Sequence, residues 1–176
     1  MSQLKIPVGP DDHTQGPLDA PIVLLEYGDY ECPYCGEAYP ELKAVQKAMG
    51  DSLCFAFRNF PLVNAHPHAE RAAEFAEAAA TIDRFWDMHD TLYEHQDALD
   101  DANLVRYARR LGFDDALIES ALRDDFATHI RRDFTGGVRS GVNGTPCLFI
   151  NGVRYDGPRD AASLIALFRH SLANPR

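Results

Sequence analysis

Two cysteines separated by two residues, Cys32 and Cys35 in the run CPYC, are the residues best suited to chemistry. Thiols at that spacing can form half of a tetrahedral metal site, stay inert, or cycle between dithiol and disulfide. The chain has no second CxxC or CxxH to complete a four-ligand site, so a redox dithiol is the better reading and no metal is expected. The pair follows an apolar run, Ile22 to Tyr27, and opens a helical pattern with Pro33 at its first position, where a missing N–H costs nothing. Cys32 would then sit at unpaired N–H groups and the positive end of a helix dipole, which favour thiolate over thiol. Each unit by which its pKa falls is worth roughly 1.4 kcal/mol, and attack on a disulfide requires that thiolate. Cys32 is therefore the expected nucleophile. Cys35, one turn on and less exposed, is the thiol expected to resolve the mixed disulfide.

Glu26 is the next candidate, six residues before Cys32 in an otherwise apolar strand and on the same face as Leu24. A carboxyl desolvated there would have a raised pKa and could exchange protons with Cys35. The competing reading is a charge exposed near a strand end. The other cysteines, Cys54 and Cys147, fall inside apolar strand-like runs and read as small buried residues, although Cys147 could also approach the dithiol as an auxiliary thiol. The pairs His66 with His68 and His89 with His95 read as capping or core residues before they read as metal ligands. Phe85, Trp86, Met88 and Tyr93 read first as packing, with a substrate groove as the alternative.

The elements that must hold these residues follow from the patterning. A short strand is expected at Leu4 to Val8, then a buried central strand at Ile22 to Tyr27. A helix from Pro33 to Met49 has Tyr39, Leu42, Val45 and Met49 on one face, with Pro40 expected to bend it. A strand follows at Leu53 to Phe57. From Pro67 to Arg139 the pattern is helical, with Pro67 as a first-turn proline, Asp100 or Asp101 as a cap and Gly112 as a stop. Strands return at Cys147 to Ile150 and Val153 to Tyr155, joined by Asn151 and Gly152, the residues a type I′ turn prefers because both need positive φ. A last helix spans about Asp160 to Leu172. Strand, helix, strand, helical block, hairpin and helix make an α/β fold with a central mixed sheet and an inserted helical subdomain.

With 176 residues, 45% of them hydrophobic and 25% charged, the chain suits one domain with an insertion. A net charge of −10 argues against nucleic acid as a partner. No run reaches membrane-spanning length, so no membrane insertion is expected, and the opening MSQLKIPVGPDDHTQGP lacks a leader's apolar core. Cytoplasmic residence is the resulting expectation.

The runs YGDYECPYC, FRNFPL, HPHAERAAEFAEAA, FWDMHDTLY and GVNGTPCLFING together resemble the DsbA-like, Thioredoxin_4-type branch of the thioredoxin superfamily, from about Asp11 to the C-terminus. The resemblance implies a thioredoxin-like fold in three parts: residues 1–65 with the CxxC, a helical insertion at 66–139, and 140–176 with a cis-proline, the hairpin and the last helix. It places the family's buried acid at Glu26, its helix proline at Pro40 and its cis-proline at Pro146 after Thr145. From the residues alone, Gly144, Thr145 and Pro146 read only as a turn. A cis Pro146 facing the dithiol would expose the Thr145 backbone for strand addition by a substrate peptide, beside Pro33 and Tyr34. The chain departs from thioredoxin, which has Gly-Pro between its cysteines, and from DsbA, which has Pro-His. Tyr34 is a weaker electrostatic handle than a protonatable histidine, so strong oxidant behaviour does not carry over.

The function expected is exchange of disulfides with protein or peptide thiols, needing no cofactor, with a thioredoxin or glutathione system as a candidate redox partner. The alternatives are a redox-regulated peptide-binding protein without general turnover, and an enzyme acting on small thiols. The direction of electron flow is left open by the sequence.

Overall fold

The computed structural model describes residues 2–174. Five strands and seven α-helices follow in the order β1 (His13–Gln15), β2 (Ile22–Gly28), α1 (Pro33–Met49), β3 (Leu53–Asn59), α2 (Ala69–Ala80), α3 (Phe85–Glu94), α4 (Asp101–Arg110), α5 (Asp115–Leu122), α6 (Ala127–Arg139), β4 (Cys147–Ile150), β5 (Val153–Tyr155) and α7 (Ala161–Ala173). They build one mixed sheet in the spatial order β1-β3-β2-β4-β5. Strands β2 and β3 are parallel, as the helical crossover α1 requires, and the remaining pairs are antiparallel. All five helices α2 to α6 come between β3 and β4, which gives the α/β thioredoxin-like arrangement with its inserted helical subdomain.

Alternation along β2 divides the core. Leu24 and Glu26 face one side, where Phe55, Phe57 and Leu148 meet Leu42 and Val45 of α1, Leu164 and Phe168 of α7, and the apolar faces of α2 and α3. Leu25 and Tyr27 face the other, with Ala56, Phe60, Cys147 and Phe149. Helix α6 packs close on that second side: a Cβ on Gly137 would come within 2.9 Å of both Phe60 and Tyr27, so only glycine permits the approach.

Several local signals act as their chemistry dictates. The Asp100 and Asp114 carboxylates accept the Asn103 and Leu117 N–H groups and cap α4 and α5. Asn151 and Gly152 adopt φ of 48° and 80° between β4 and β5. Two expectations are corrected. The first strand is His13–Gln15, and Leu4 to Val8 is irregular backbone, because the ladder position beside β3 is taken by residues 13–15. Nearby, among the described residues, Gln3 makes an isolated bridge to Val153. Pro67 is not a first-turn residue: α2 begins at Ala69 with His68 at its N-cap. Among the described residues no helix is long and apolar enough to cross a membrane.

Candidate active site

Cys32 is the N-cap of α1, with extended φ and ψ of −71° and 121°, and Pro33 occupies the first turn. The Cys35 and Gly36 N–H groups both donate to the Cys32 carbonyl at 3.1 Å, so the second cysteine is folded into the first helical turn beneath the first. Both sulfur-bearing residues are buried, Cys35 completely, and all four cysteines of the chain are free thiols. Tyr34 between them is 63% exposed. On the opposite side stands the loop before β4, where the Thr145–Pro146 peptide is cis. The Cys32 thiol lies 3.5 Å from the Thr145 carbonyl oxygen, and the Thr145 hydroxyl is buried without a hydrogen-bond partner.

The two thiols are electrostatically unlike. The Cys32 pKa falls to about 5, first because the Cys35 thiol donates to its thiolate, with further help from Thr145 and from the Tyr34 and Cys35 N–H groups, against the opposing effect of burial. Cys35 moves well upward, chiefly by burial, then because its proton is held by Cys32 and because Glu26 lies near. Glu26 sits in the central strand with 2% of its surface exposed. Burial, reinforced by the Cys32 thiolate and opposed by Arg159, pushes its pKa up to about 8, and its Oε1 has no hydrogen-bond partner. Arg159 is held at this end of the sheet by donating to the Pro146 carbonyl at 3.0 Å.

Three residues of the site were not singled out for it from the sequence. Asp29, fully buried, uses Oδ1 to accept the Glu31 and Cys32 N–H groups at 2.8 and 3.1 Å, and Oδ2 to accept the Leu62 N–H at 2.8 Å and contact His66 Nδ1 at 2.8 Å. That carboxylate fixes the loop that carries Cys32. Burial pulls the His66 pKa down, but the Asp29 hydrogen bond and the charges of Asp29, Cys32 and Glu31 outweigh it and the net shift is upward. Gln96 donates to the Tyr30 and Cys32 carbonyls at 2.8 and 3.0 Å, and lies so close over Gly36 that a Cβ there would overlap its amide. An aspartate two residues after a strand run and a proline-flanked histidine are weak signals alone, because only the fold brings positions 29, 66 and 96 together.

The remaining candidates separate from the dithiol. Cys147 pairs with Tyr27 and turns to the opposite face of the sheet from Cys32 and Cys35, while Cys54 lies in β3, with β2 between it and Cys147. His68 pairs with Glu31 at 2.8 Å, and His95 caps the end of α3 on the Thr91 carbonyl. His89 is buried against the Tyr30 hydroxyl, and burial holds its pKa down at about 3. Phe85, Met88 and Tyr93 are core residues, and Trp86 packs beside them with its Nε1–H on the Thr14 carbonyl.

A dithiol at a helix start, a buried acid in the strand before it and a cis-proline opposite it meet the thioredoxin family model Thioredoxin_4, which matches residues 9–168. The chain belongs to the Thioredoxin_4 family of the thioredoxins. In sequence it is 44% identical over 177 residues to the Na(+)/H(+) antiporter NhaA 3 of Salinispora tropica, a match covering 98% of this chain and 27% of the antiporter. The chain thus spans about a quarter of the length of the curated relatives it matches. In fold this Thioredoxin_4 chain is similar to oxidised BdbD from Bacillus subtilis, with a TM-score of 0.80, 24% identity and 92% of each chain covered. Against alpha-DsbA1 of Wolbachia pipientis the TM-score is 0.79 at 18% identity, covering 95% of this chain and 93% of the other.

These likenesses correct one expectation. Cytoplasmic residence, read from the opening residues, conflicts with the extracytoplasmic setting of the DsbA-like proteins the fold matches. A sequence that spans a quarter of its relatives says nothing through its first residues about a leader, which is why that reading failed.

Proposed function

We propose that this DsbA-like chain is a thiol:disulfide oxidoreductase acting on protein or peptide thiols through Cys32 and Cys35. The observation that carries the reading is the asymmetry of the pair: a helix-start thiol held near pKa 5, above a buried thiol held protonated.

In the reducing direction the Cys32 thiolate attacks one sulfur of a substrate disulfide, the S–S bond breaks, and one substrate sulfur leaves as thiolate and takes a proton from solvent. The Cys35 thiol then gives its proton to Glu26 and attacks Cys32 Sγ, expelling the second substrate thiolate and leaving a Cys32–Cys35 disulfide. Two electrons pass from the protein dithiol to the substrate. The reverse sequence oxidises a substrate dithiol. A carboxyl with a pKa near 8 suits this relay because it can both take and return a proton around neutral pH. Tyr34 and Pro33 border the nucleophile on its exposed side. On the other side the Thr145 backbone offers an edge to an extended peptide, beside a cavity of about 290 Å³ lined by Thr145, Pro146, Tyr155 and Arg159. We read residues 66–139 as the insertion that closes the site, a division supported by His66 and Gln96 reaching back to the loop at positions 29–32.

Insulin reduction and equilibration with glutathione test the proposal. The parent chain should turn over, Cys32→Ser should lose all exchange, and Cys35→Ser should accumulate mixed disulfides with substrate proteins. Glu26→Gln should keep rapid alkylation of Cys32 but slow resolution of the mixed disulfide. Equal exchange by the parent and the Cys32→Ser variant would exclude the activity.

A further inference from the structure

A second cluster lies where the edge strand meets the helical insertion, and the dithiol chemistry does not use it. His13 of β1, Glu77 of α2 and His129 of α6 each present one ligand atom, all within 4.8 Å of one another. His13 Nε2 is 3.0 Å from both oxygens of Glu77, and His129 Nδ1 is 3.7 Å from Glu77 Oε2. We propose that His13, Glu77 and His129 form a binding site for a divalent metal ion of the zinc class, with a fourth position open to solvent.

Donor chemistry selects the metal. Two imidazoles and one carboxylate are a zinc-type set, whereas magnesium and calcium take oxygen ligands almost throughout. Ligand atoms about 2.1 Å from a tetrahedral ion stand roughly 3.4 Å apart. The two histidine–Glu77 separations, 3.0 and 3.7 Å, bracket that spacing, and all three ligand atoms lie within 4.8 Å of one another.

The surroundings are those of a supported site. Asn59 Nδ2 donates to Glu77 Oε1 at 2.6 Å and fixes that carboxylate, which is itself buried. The second ring nitrogen of His129, Nε2, faces Asp133 Oδ2 at 3.6 Å, and the Asn59 N–H holds the same oxygen at 3.0 Å. The Asp133 carboxylate favours a proton on the ring nitrogen that faces it, Nε2, which leaves the Nδ1 lone pair toward the ion, the placement of a carboxylate behind a ligating histidine. The His13 ring is fixed by stacking on Phe85 at 3.6 Å between centroids and lies near parallel to the His129 ring at 5.2 Å. Among the described residues, the only ion-pair partners of the buried Glu77 and Asp133 carboxylates are these two histidines. A dication would neutralise both at once. His13 and His129 keep 15% and 28% of their side chains exposed, which leaves an entry path. An ion held here would tie the edge strand β1 to the helices α2 and α6.

The test must exclude the thiols of the CPYC pair, because thiolates are zinc ligands in their own right. A Cys32→Ser/Cys35→Ser chain, stripped with chelator, is titrated with Zn²⁺ by calorimetry and with Co²⁺ by visible absorption, and its melting midpoint is followed. One equivalent per chain, a four-coordinate cobalt spectrum and a raised midpoint are expected. Asp133→Asn should weaken zinc about 10–100-fold, and His129→Ala or His13→Gln in the same background should weaken it further. No uptake by the parent, unchanged affinity in both histidine variants, or an equal midpoint rise with Mg²⁺ or Ca²⁺ would overturn the proposal and leave His13, Glu77 and His129 as a group of charged and polar side chains without a metal.

Discussion

Asp29 joins the proposed nucleophile to a histidine, because its carboxylate holds the Cys32 N–H with one oxygen and His66 with the other. The CPYC motif has a tyrosine where a protonatable residue would add positive charge, and His66 supplies one from the far side of the loop. The coupling is reciprocal: the Cys32 thiolate helps raise the His66 pKa, so protonated His66 stabilises the thiolate by the same interaction. Alkylation of Cys32 by iodoacetamide, followed against pH, should rise with a midpoint near 5, far below the roughly 8.5 of a free cysteine. His66→Gln should move that midpoint upward, and the difference between the two chains should disappear at pH values where His66 has lost its proton. A midpoint near that of free cysteine would sink the electrostatic account of Cys32, and an unshifted profile in the variant would remove His66 from it.

At the scale of elements, Arg58 of β3 explains how a segment without regular structure is held against the sheet. Its guanidinium pairs with both oxygens of Asp12 at 2.7 and 2.9 Å, and donates to the Ile6 and Pro7 carbonyls and to the Tyr27 hydroxyl. Both partners of the ion pair are buried. Removing one partner of such a pair strands the other charge, so Arg58→Met should cost about 3–5 kcal/mol in denaturant unfolding. It should also raise amide exchange at residues 4–12 more than in α1, and a loss below 1 kcal/mol would show that the pair is not what holds the segment. The same contact shows where the sequence stopped being informative. Strand β2, helix α1 and the Asn151–Gly152 hairpin carry their own periodicity, proline and turn residues, and Cys32, Cys35 and Glu26 stand out as candidates because they sit in those legible elements. The strand misplaced at Leu4 to Val8 is apolar enough to pair, but long-range bonds from Arg58 satisfy the Ile6 and Pro7 carbonyls and keep them out of a ladder. Asp29, His66 and Gln96 belong to three separate stretches and become one site only through the tertiary fold.

On the scale of the whole molecule, the ionisation of one thiol ties stability to redox state. Folding carries Cys32 from an ordinary pKa of 9.0 to about 5, so at this thiol the reduced native chain binds fewer protons than the reduced unfolded chain at every pH between those values. The stabilisation is complete above the unfolded value and is lost as pH falls through 5, with a slope of at most about 1.4 kcal/mol per pH unit for one proton. Cys35 adds nothing near neutrality, because it is protonated in both states. Glu26 acts in the opposite sense: its raised pKa makes stability fall as pH rises from 4.5 through about 8. The main cause there is burial in the central strand, which both redox forms share, and it largely cancels when they are compared. The disulfide form lacks the thiolate and gains only the loop-closure effect of a short cross-link, which does not depend on pH. Denaturant unfolding of the reduced and oxidised chains between pH 4 and 8 should therefore show the reduced form gaining on the oxidised form steadily above pH 5 and not below it. By the thermodynamic cycle that links folding to disulfide formation, that gain makes the native disulfide a stronger oxidant than the same cysteines in an unfolded chain. A difference between the two forms that stays flat across this range would mean that Cys32 is not ionised in the native dithiol, and the nucleophile would then need activation by the substrate itself.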